Sequence, residues 1–351
     1  LKIEKFANGE IYARFDESVR GDDVFFIQSL SGTNVNDLLM ETLVVADAAK
    51  RASVSKFTAV IPHYCYARQD RKASAREPIT ARLVANLLEA AGVDQVITID
   101  LHQGQIQGFF DIPVTHLTAL YLIGDYFKAK DFDWDNTVVV SPDMGRAKVA
   151  KRLADYLGCE FAIAHKSRPK HNASEVMGII GNIEGKTCIV NDDMIDTAGT
   201  LCGSVRKLKE MGAGDIYVSA THGIFSGAAI ERLQGAPLEE CVVTDIIPCE
   251  AADQPGSKIK TVSVANELAE AINSVYMRRS VSEIFGGQGA EDLTKRGRPL
   301  SLLFVIYGAT SGWPRRRIIS FRQFDGDRQS SEGFFVTQSQ VEALRLYGYS
   351  A

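Results

Sequence analysis

The sequence predicts an α/β protein of two three-layer domains, each built on a mainly parallel sheet. Two observations carry this. Short β-rich apolar runs alternate with amphipathic helical patterns along most of the chain, which is the rhythm of parallel strands joined by helical crossovers. Polar clusters follow the runs at Pro62-His63-Tyr64, Asp100-Leu101-His102, Ser141-Pro142-Asp143, Asn191-Asp192-Asp193 and Thr221-His222-Gly223. Open α/β sheets collect ligands beyond the carboxyl ends of their strands.

Taken in order, strands are expected at 24–28, 57–61, 95–100, 137–141, 161–164, 187–190, 216–220, 240–244 and 261–263, each a short run rich in Val, Ile, Phe or Thr. Helices are expected at 37–52, 79–91, 145–157, 201–211 and 227–233, where apolar residues recur three and four apart, as Leu201, Val205 and Leu208 do. This count of strands suits two similar domains, 1–123 and 124–263. Beyond residue 285 the character changes. Gly286-Gly287-Gln288-Gly289 reads as a linker. The tail, 286–351, carries eight Arg and one Lys against six acids without sustained periodicity. It is expected to be poorly ordered, with the arginines at 315–317 a solvated charge run.

At 351 residues, 45% hydrophobic and 24% charged, the chain can build two cores of a soluble protein. A net charge of -5 with no basic stripe argues against nucleic acid as a partner. The apolar runs are too short to span a membrane, and no signal peptide opens the chain. The six cysteines form no C-x-x-C pair, so they read as reduced residues of a cytoplasmic protein. The chain begins with Leu1 rather than Met, as expected if its native start lies further upstream.

The most informative stretch is 187–200, Thr-Cys-Ile-Val-Asn-Asp-Asp-Met-Ile-Asp-Thr-Ala-Gly-Thr. An apolar run feeds two adjacent carboxylates, then a loop of small and hydroxylated residues, then a helix. A helix N-terminus offers unpaired N–H groups and partial positive charge to an anion. Thr197, Ala198, Gly199 and Thr200 admit a phosphate to the backbone, and Asp192 and Asp193, one turn earlier, can accept hydrogen bonds from sugar hydroxyls. A 5-phosphorylated ribose satisfies both halves. Upstream, Gly181-Asn-Ile-Glu-Gly185-Lys186-Thr187 mimics a P-loop, but it has three residues between the glycines where four are needed, and it leads into a strand. It reads as a turn.

With these pieces in order, the chain resembles the ribose-phosphate pyrophosphokinase (phosphoribosyl pyrophosphate synthetase) family over roughly residues 4–285. The resemblance rests on ordered strings: Phe6-Ala-Asn-Gly-Glu10, Glu17-Ser-Val-Arg-Gly21, Tyr66-Ala-Arg-Gln-Asp-Arg-Lys72, Arg76-Glu-Pro-Ile-Thr80, Asp100-Leu-His102, Gln105-Ile-Gln-Gly-Phe-Phe-Asp-Ile-Pro113, residues 192–200, Ala220-Thr-His-Gly223 and Ser280-Val-Ser282. It implies two phosphoribosyltransferase-like domains, with 264–285 packing back on the first. It also implies transfer of the β,γ-diphosphoryl group of ATP to the anomeric hydroxyl of ribose 5-phosphate, with release of AMP.

The resemblance further implies roles. Arg68 and Gln69 match the family's ATP contacts, and Phe6, Asn8 and Glu10 match a loop that a neighbouring subunit presents to adenine. Asp192, Asp193, Asp196, Thr197, Ala198, Gly199 and Thr200 hold ribose 5-phosphate. His102 and Asp143 match the Mg²⁺ site, the imidazole acting through a metal-bound water, and Asp143 and Gly145 match the diphosphate turn. Lys166 and Arg168, expected on a mobile loop at 165–174, match the catalytic pair that closes over the diphosphoryl group. Arg20, Gln107, Ser280, Val281 and Ser282 match a regulatory site for phosphate and ADP between subunits of a hexamer built from dimers.

Three departures from the family stand out. The diphosphate turn, Asp-x-Gly-Gly in the family, reads Asp143-Met144-Gly145-Arg146 here, and Ser167 replaces an arginine of the catalytic loop. The family also has a further strand and helix, about thirty residues in the resemblance, ahead of Leu1. A catalytically impaired homologue that binds nucleotide or assembles with active subunits is the alternative these departures raise. A phosphoribosyltransferase consuming the product is disfavoured by the ATP-contact strings.

Overall fold

The computed structural model describes residues 1–167, 176–281 and 319–321. A hairpin, β1 (Lys2–Lys5) and β2 (Ile11–Arg14), leads into β3 (Asp23–Ile27), α1 (Val35–Arg51), β4 (Lys56–Val60), α2 (Thr80–Ala91), β5 (Gln95–Ile99), β6 (Val114–Leu117) and α3 (Leu120–Lys128). Then follow β7 (Thr137–Ser141), α4 (Ala147–Leu157), β8 (Glu160–Ser167), β9 (Val176–Ile180), β10 (Thr187–Ile195), α5 (Gly199–Glu210) and β11 (Ile216–Gly223). The order closes with α6 (Ala229–Gln234), β12 (Glu240–Thr244), β13 (Ile259–Val262), α7 (Ala265–Tyr276) and β14 (Ile319–Phe321).

The first sheet has the order β14-β3-β4-β5-β6 and the second β13-β12-β11-β10-β7-β8-β9. Both are parallel except for their outermost members, β14 on β3 and β9 on β8. Alternation along each strand decides which side a residue covers. Val24 and Phe26 join the core beneath α1 and α2, whereas Phe25 and Ile27 join a second cluster. On the other sheet Val138, Val140, Cys188 and Val190 pack with α5 and α6, whereas Val139 and Ile189 join that same second cluster. Helices α3, α4 and α7 fill the space between the sheets, with Ile123, Leu153 and Ile272 each nearly inaccessible. The two three-layer units therefore share a middle helical layer, and α7 contributes Leu268, Ala271 and Ile272 to it.

Several boundaries differ from expectation for tertiary reasons. Strand β10 continues five residues past 190 because β11 continues beside it, pairing Asp192 with Ala220 and Ile195 with Gly223. Asp192 and Asp193 thus stand on the strand itself, past its expected end at 190. Helix α5 begins at Gly199, two residues early. Strand β8 runs through Ser167, paired with β9 at Lys166↔Met177 and Ser167↔Val176. The expected mobile loop at 165–174 therefore overlaps a strand at its start, and Lys166 is a strand position. The hairpin β1–β2 and the edge strand β6 lack the apolar runs of central strands, and the apolar run of β9 is interrupted by Gly178. The near-P-loop at 181–187 is a connection from β9 to β10, with Gly181 at φ +117° and Gly185 at φ +69°, where a side chain would be strained. Of the tail, 319–321 forms β14 on the edge of β3, and the remainder lies outside the described residues.

Candidate active site

The carboxyl ends of β5, β7, β10 and β11 meet in one polar network. His102, just past β5, donates from Nδ1 to Asp193 Oδ2 at 2.6 Å, joining the two sheets. Asp193 is 3% exposed, and its backbone N–H donates to Asp192 Oδ1 at 2.8 Å. Arg146, at the start of α4, places Nε 3.8 Å from Asp192 Oδ1 and 3.9 Å from Asp193 Oδ1. The two carboxylates are inequivalent as a result. Burial and the neighbouring Asp193 raise Asp192 above the ordinary carboxylate range. Burial also opposes ionisation of Asp193, but the His102 hydrogen bond and the Arg146 charge outweigh it and hold Asp193 below that range. The same hydrogen bond raises the His102 imidazole.

Beyond the carboxylates the chain turns at Asp196 and Thr197 into α5. Ala198, at the N-cap, is left-handed (φ +57°) and supplies no side-chain cap. The first internal helix bond runs from Cys202 N–H to Ala198 O at 2.9 Å. The N–H groups of Gly199, Thr200 and Leu201 therefore precede the helical ladder, the arrangement that receives a phosphate. Gly199 and Thr200 are exposed there, and Ala198 is buried beneath them. From the first sheet, exposed Arg68 reaches Asp196 Oδ2 at 2.8 Å. From α6, Arg232 donates to Thr197 O at 2.6 Å, a buttress that no motif announced. Gln69 accepts from Thr80 Oγ1 at 2.6 Å, which ties the Arg68 loop to the start of α2.

The turn Asp143-Met144-Gly145-Arg146 follows β7. Asp143 is exposed, and its Oδ1 accepts the Arg146 backbone N–H at 3.0 Å. A Cβ on Gly145 would stand 3.2 Å from that oxygen, so glycine keeps the turn close. The donor chemistry fits Mg²⁺: a hard carboxylate beside an anion site suits a cation shared between one protein oxygen and substrate phosphates. Among the described residues no group of three or more His, Cys, Asp or Glu is assembled as a cage.

Two buried histidines lie behind the network, and sequence reasoning assigned them no role. His63 donates to Leu30 O at 2.9 Å and meets the His222 ring edge-on at 4.8 Å. His222 Nε2 faces Ile99 O and Asp100 O, each at 3.1 Å. Asp100 Oδ2 accepts from Ala119 N–H at 2.9 Å and Thr221 Oγ1 at 2.6 Å. These bonds hold the ends of β5 and β11 together and so fix His102 against Asp193. Burial lowers His63 to about 3 and lowers His222 as well, so both are neutral near pH 7. Their position after apolar strands was the available signal.

Other expected positions lie apart. Phe6, Asn8 and Glu10 form the hairpin turn, closed by Phe6 N–H to Glu10 O and Gly9 N–H to Phe6 O, both 2.8 Å. Phe6 is 51% exposed, and among the described residues no hydrogen bond or ion pair links this turn to the network. Arg20 lines a cleft of about 400 Å³ with Phe15, Glu17, Ser18 and Ala48. Gln107 sits in the 3₁₀ turn Gly104–Phe109 and bonds Gly104 O at 2.9 Å. Ser280 and Val281 follow α7, with Val281 packed on the shared core. Arg168 and Ser282 lie outside the described residues.

Fold and site together define a phosphoribosyl-binding α/β protein, with a carboxylate pair ahead of a helix N-terminus and cationic side chains from both sheets converging on it. Residues 1–92 match the profile of the N-terminal domain of ribose phosphate pyrophosphokinase, and 166–286 match the phosphoribosyl synthetase-associated domain. Ribose-phosphate pyrophosphokinase from Fusobacterium nucleatum is 51% identical over 284 residues, 81% of this chain and 89% of that protein. Its counterpart in Clostridium acetobutylicum is 50% identical, covering 81% and 88%. The crystal structure of phosphoribosylpyrophosphate synthetase from Mycobacterium smegmatis superposes with a TM-score of 0.74 at 46% identity, over 79% of this chain and 90% of that one. The chain belongs to the ribose-phosphate pyrophosphokinase family.

Proposed function

We propose that this site makes 5-phosphoribosyl 1-diphosphate from ATP and ribose 5-phosphate, releasing AMP, with the division of labour that follows. The 5-phosphate sits on the free N–H groups of Gly199 and Thr200, and Asp192 accepts from the ribose hydroxyls. Asp193 is committed to His102 and Arg146 and acts by holding them. Arg68, steadied by the Gln69 loop, receives the nucleotide. The observation that carries the reading is the Arg68–Asp196 bridge, which brings the nucleotide arginine onto the ribose-phosphate loop across the two sheets. Asp143, and His102 through water, would hold Mg²⁺, which supplies positive charge to the phosphoryl oxygens. Lys166, at the end of β8, and Arg168 add charge to the moving group, where it stabilises the transition state.

The exposed hairpin turn at 6–10 suits a second subunit's adenine better than its own, which supports a homo-oligomer, a hexamer built from dimers in the family's manner, with phosphate and ADP as regulators. Among the described residues no helix is long and apolar enough to cross a membrane, in keeping with a cytoplasmic enzyme. The test is direct. Purified protein with Mg²⁺ and ATP should release AMP only when ribose 5-phosphate is added, and AMP release independent of the sugar would defeat the reading.

A further inference from the structure

We infer that Arg146 is the residue through which this site grips the transferred diphosphoryl group, its guanidinium replacing a backbone donor of the turn. The inference rests on the proposed assignment of the 143–146 turn to diphosphate and adds which atom binds it. Three observations meet at this side chain. Its Nε is buried and has no hydrogen-bond partner among the described residues, and the side chain is only 14% exposed. Its carboxylate neighbours stand 3.8 and 3.9 Å away, close enough to attract but too far to accept the N–H. Finally, the backbone N–H of residue 146, which could otherwise approach a phosphate, already donates to Asp143 Oδ1 at 3.0 Å.

A buried, unpaired donor on a charged group is costly, and a ligand oxygen at the mouth of a site is one partner that would offset that cost. Arginine has only donors, and the partner that matches a charged donor best is an anionic oxygen. The ribose hydroxyls have Asp192 beside them as acceptor. The anionic oxygens of the proposed substrates that would need such a donor are phosphoryl, and ribose 5-phosphate carries none at C1 before transfer. Arg146 should therefore bind the product and the transition state and contribute little to ribose 5-phosphate in the ground state.

The test measures calorimetric binding of 5-phosphoribosyl 1-diphosphate and, separately, of ribose 5-phosphate to the full chain and to Arg146→Ala and Arg146→Lys, alongside AMP formation. Loss of one charge-assisted bond predicts that Arg146→Ala weakens the 1-diphosphate about ten- to a hundredfold and slows kcat comparably, with ribose 5-phosphate changed by less than about threefold. Arg146→Lys, which keeps the charge but not the Nε donor, should recover part of the loss. Equal weakening of both ligands in Arg146→Lys would mean that Arg146 only holds the carboxylates, and would overturn the inference. Faster AMP release by Arg146→Gly would overturn it too, by showing that the side chain obstructs the site. If Arg146→Ala is unstable, Arg146→Lys decides: unchanged 1-diphosphate affinity refutes, a selective loss supports. Absence of AMP formation by the unaltered chain would instead strike the functional reading itself.

Discussion

Asp196→Asn should tighten ATP binding even though residue 196 belongs to the ribose-phosphate loop. In the substrate-free site Arg68 is paired with Asp196 at 2.8 Å, with the arginine 60% and the aspartate 33% exposed. An arginine that must leave a carboxylate to meet a triphosphate gives up that interaction first. For a pair this exposed the interaction is about 0.2–1 kcal/mol, which converts to about a 1.5- to fivefold gain in ATP affinity when it is removed. The gain should shrink in high salt, since exposed pairs are screened. Calorimetric titration of a non-hydrolysable ATP analogue into the wild type, Asp196→Asn, Arg68→Ala and the double variant measures it. The coupling belongs to this pair only if Asp196→Asn has no effect once Arg68 is gone. Weaker ATP binding by Asp196→Asn, or an equal gain in the Arg68→Ala background, would refute the reasoning.

Lys166→Ala should lower kcat by orders of magnitude while leaving both KM values nearly unchanged, because a contact made only in the transition state acts on turnover; initial-rate kinetics decide, and a raised KM at constant kcat contradicts the role. Thr200→Ala should weaken ribose 5-phosphate binding without affecting ATP, which separate titrations can check. Acid should destabilise the fold through His63. Its folded value, lowered by burial to about 3, lies below the unfolded value of about 6.5, so its contribution is present above pH 6.5 and is lost as pH falls toward 3. By pH 5 the loss is about 2 kcal/mol, so His63→Gln should show correspondingly less loss of thermal midpoint between pH 7.5 and 5; parallel profiles would contradict this. Removing residues 286–351 deletes β14 from the edge of β3 and should cost some stability but not AMP formation, since among the described residues none of the network lies beyond 222 apart from the Arg232 buttress.

Much of this protein is set by local sequence. Central parallel strands such as β4, β7 and β12 are continuous apolar runs whatever surrounds them, so they were legible to within a residue or so. The turn into α5 was legible as well, because the small and hydroxylated residues Thr197-Ala198-Gly199-Thr200 lead straight into a helical pattern. Sequence also marked Asp143, His102 and Asp192 as strand-end polar residues. Tertiary structure decided what those residues do to one another. Asp193 is one of two adjacent carboxylates in the sequence, and only the fold shows that a strand from the other sheet delivers His102 to it. Arg146 is in sequence only a departure from the family's turn, and the fold sets its guanidinium beside two carboxylates with its Nε unpaired among the described residues. Edge elements, β1, β2, β6, β9 and β14, depend on which neighbour offers a free ladder, and no periodicity records that. The reason is common to all of them: apolar period and turn chemistry act over a few residues, whereas charge, burial and strand pairing act between positions 46 to 128 residues apart, as Arg146–Asp192 and Arg68–Asp196 do, and only the folded chain brings those together.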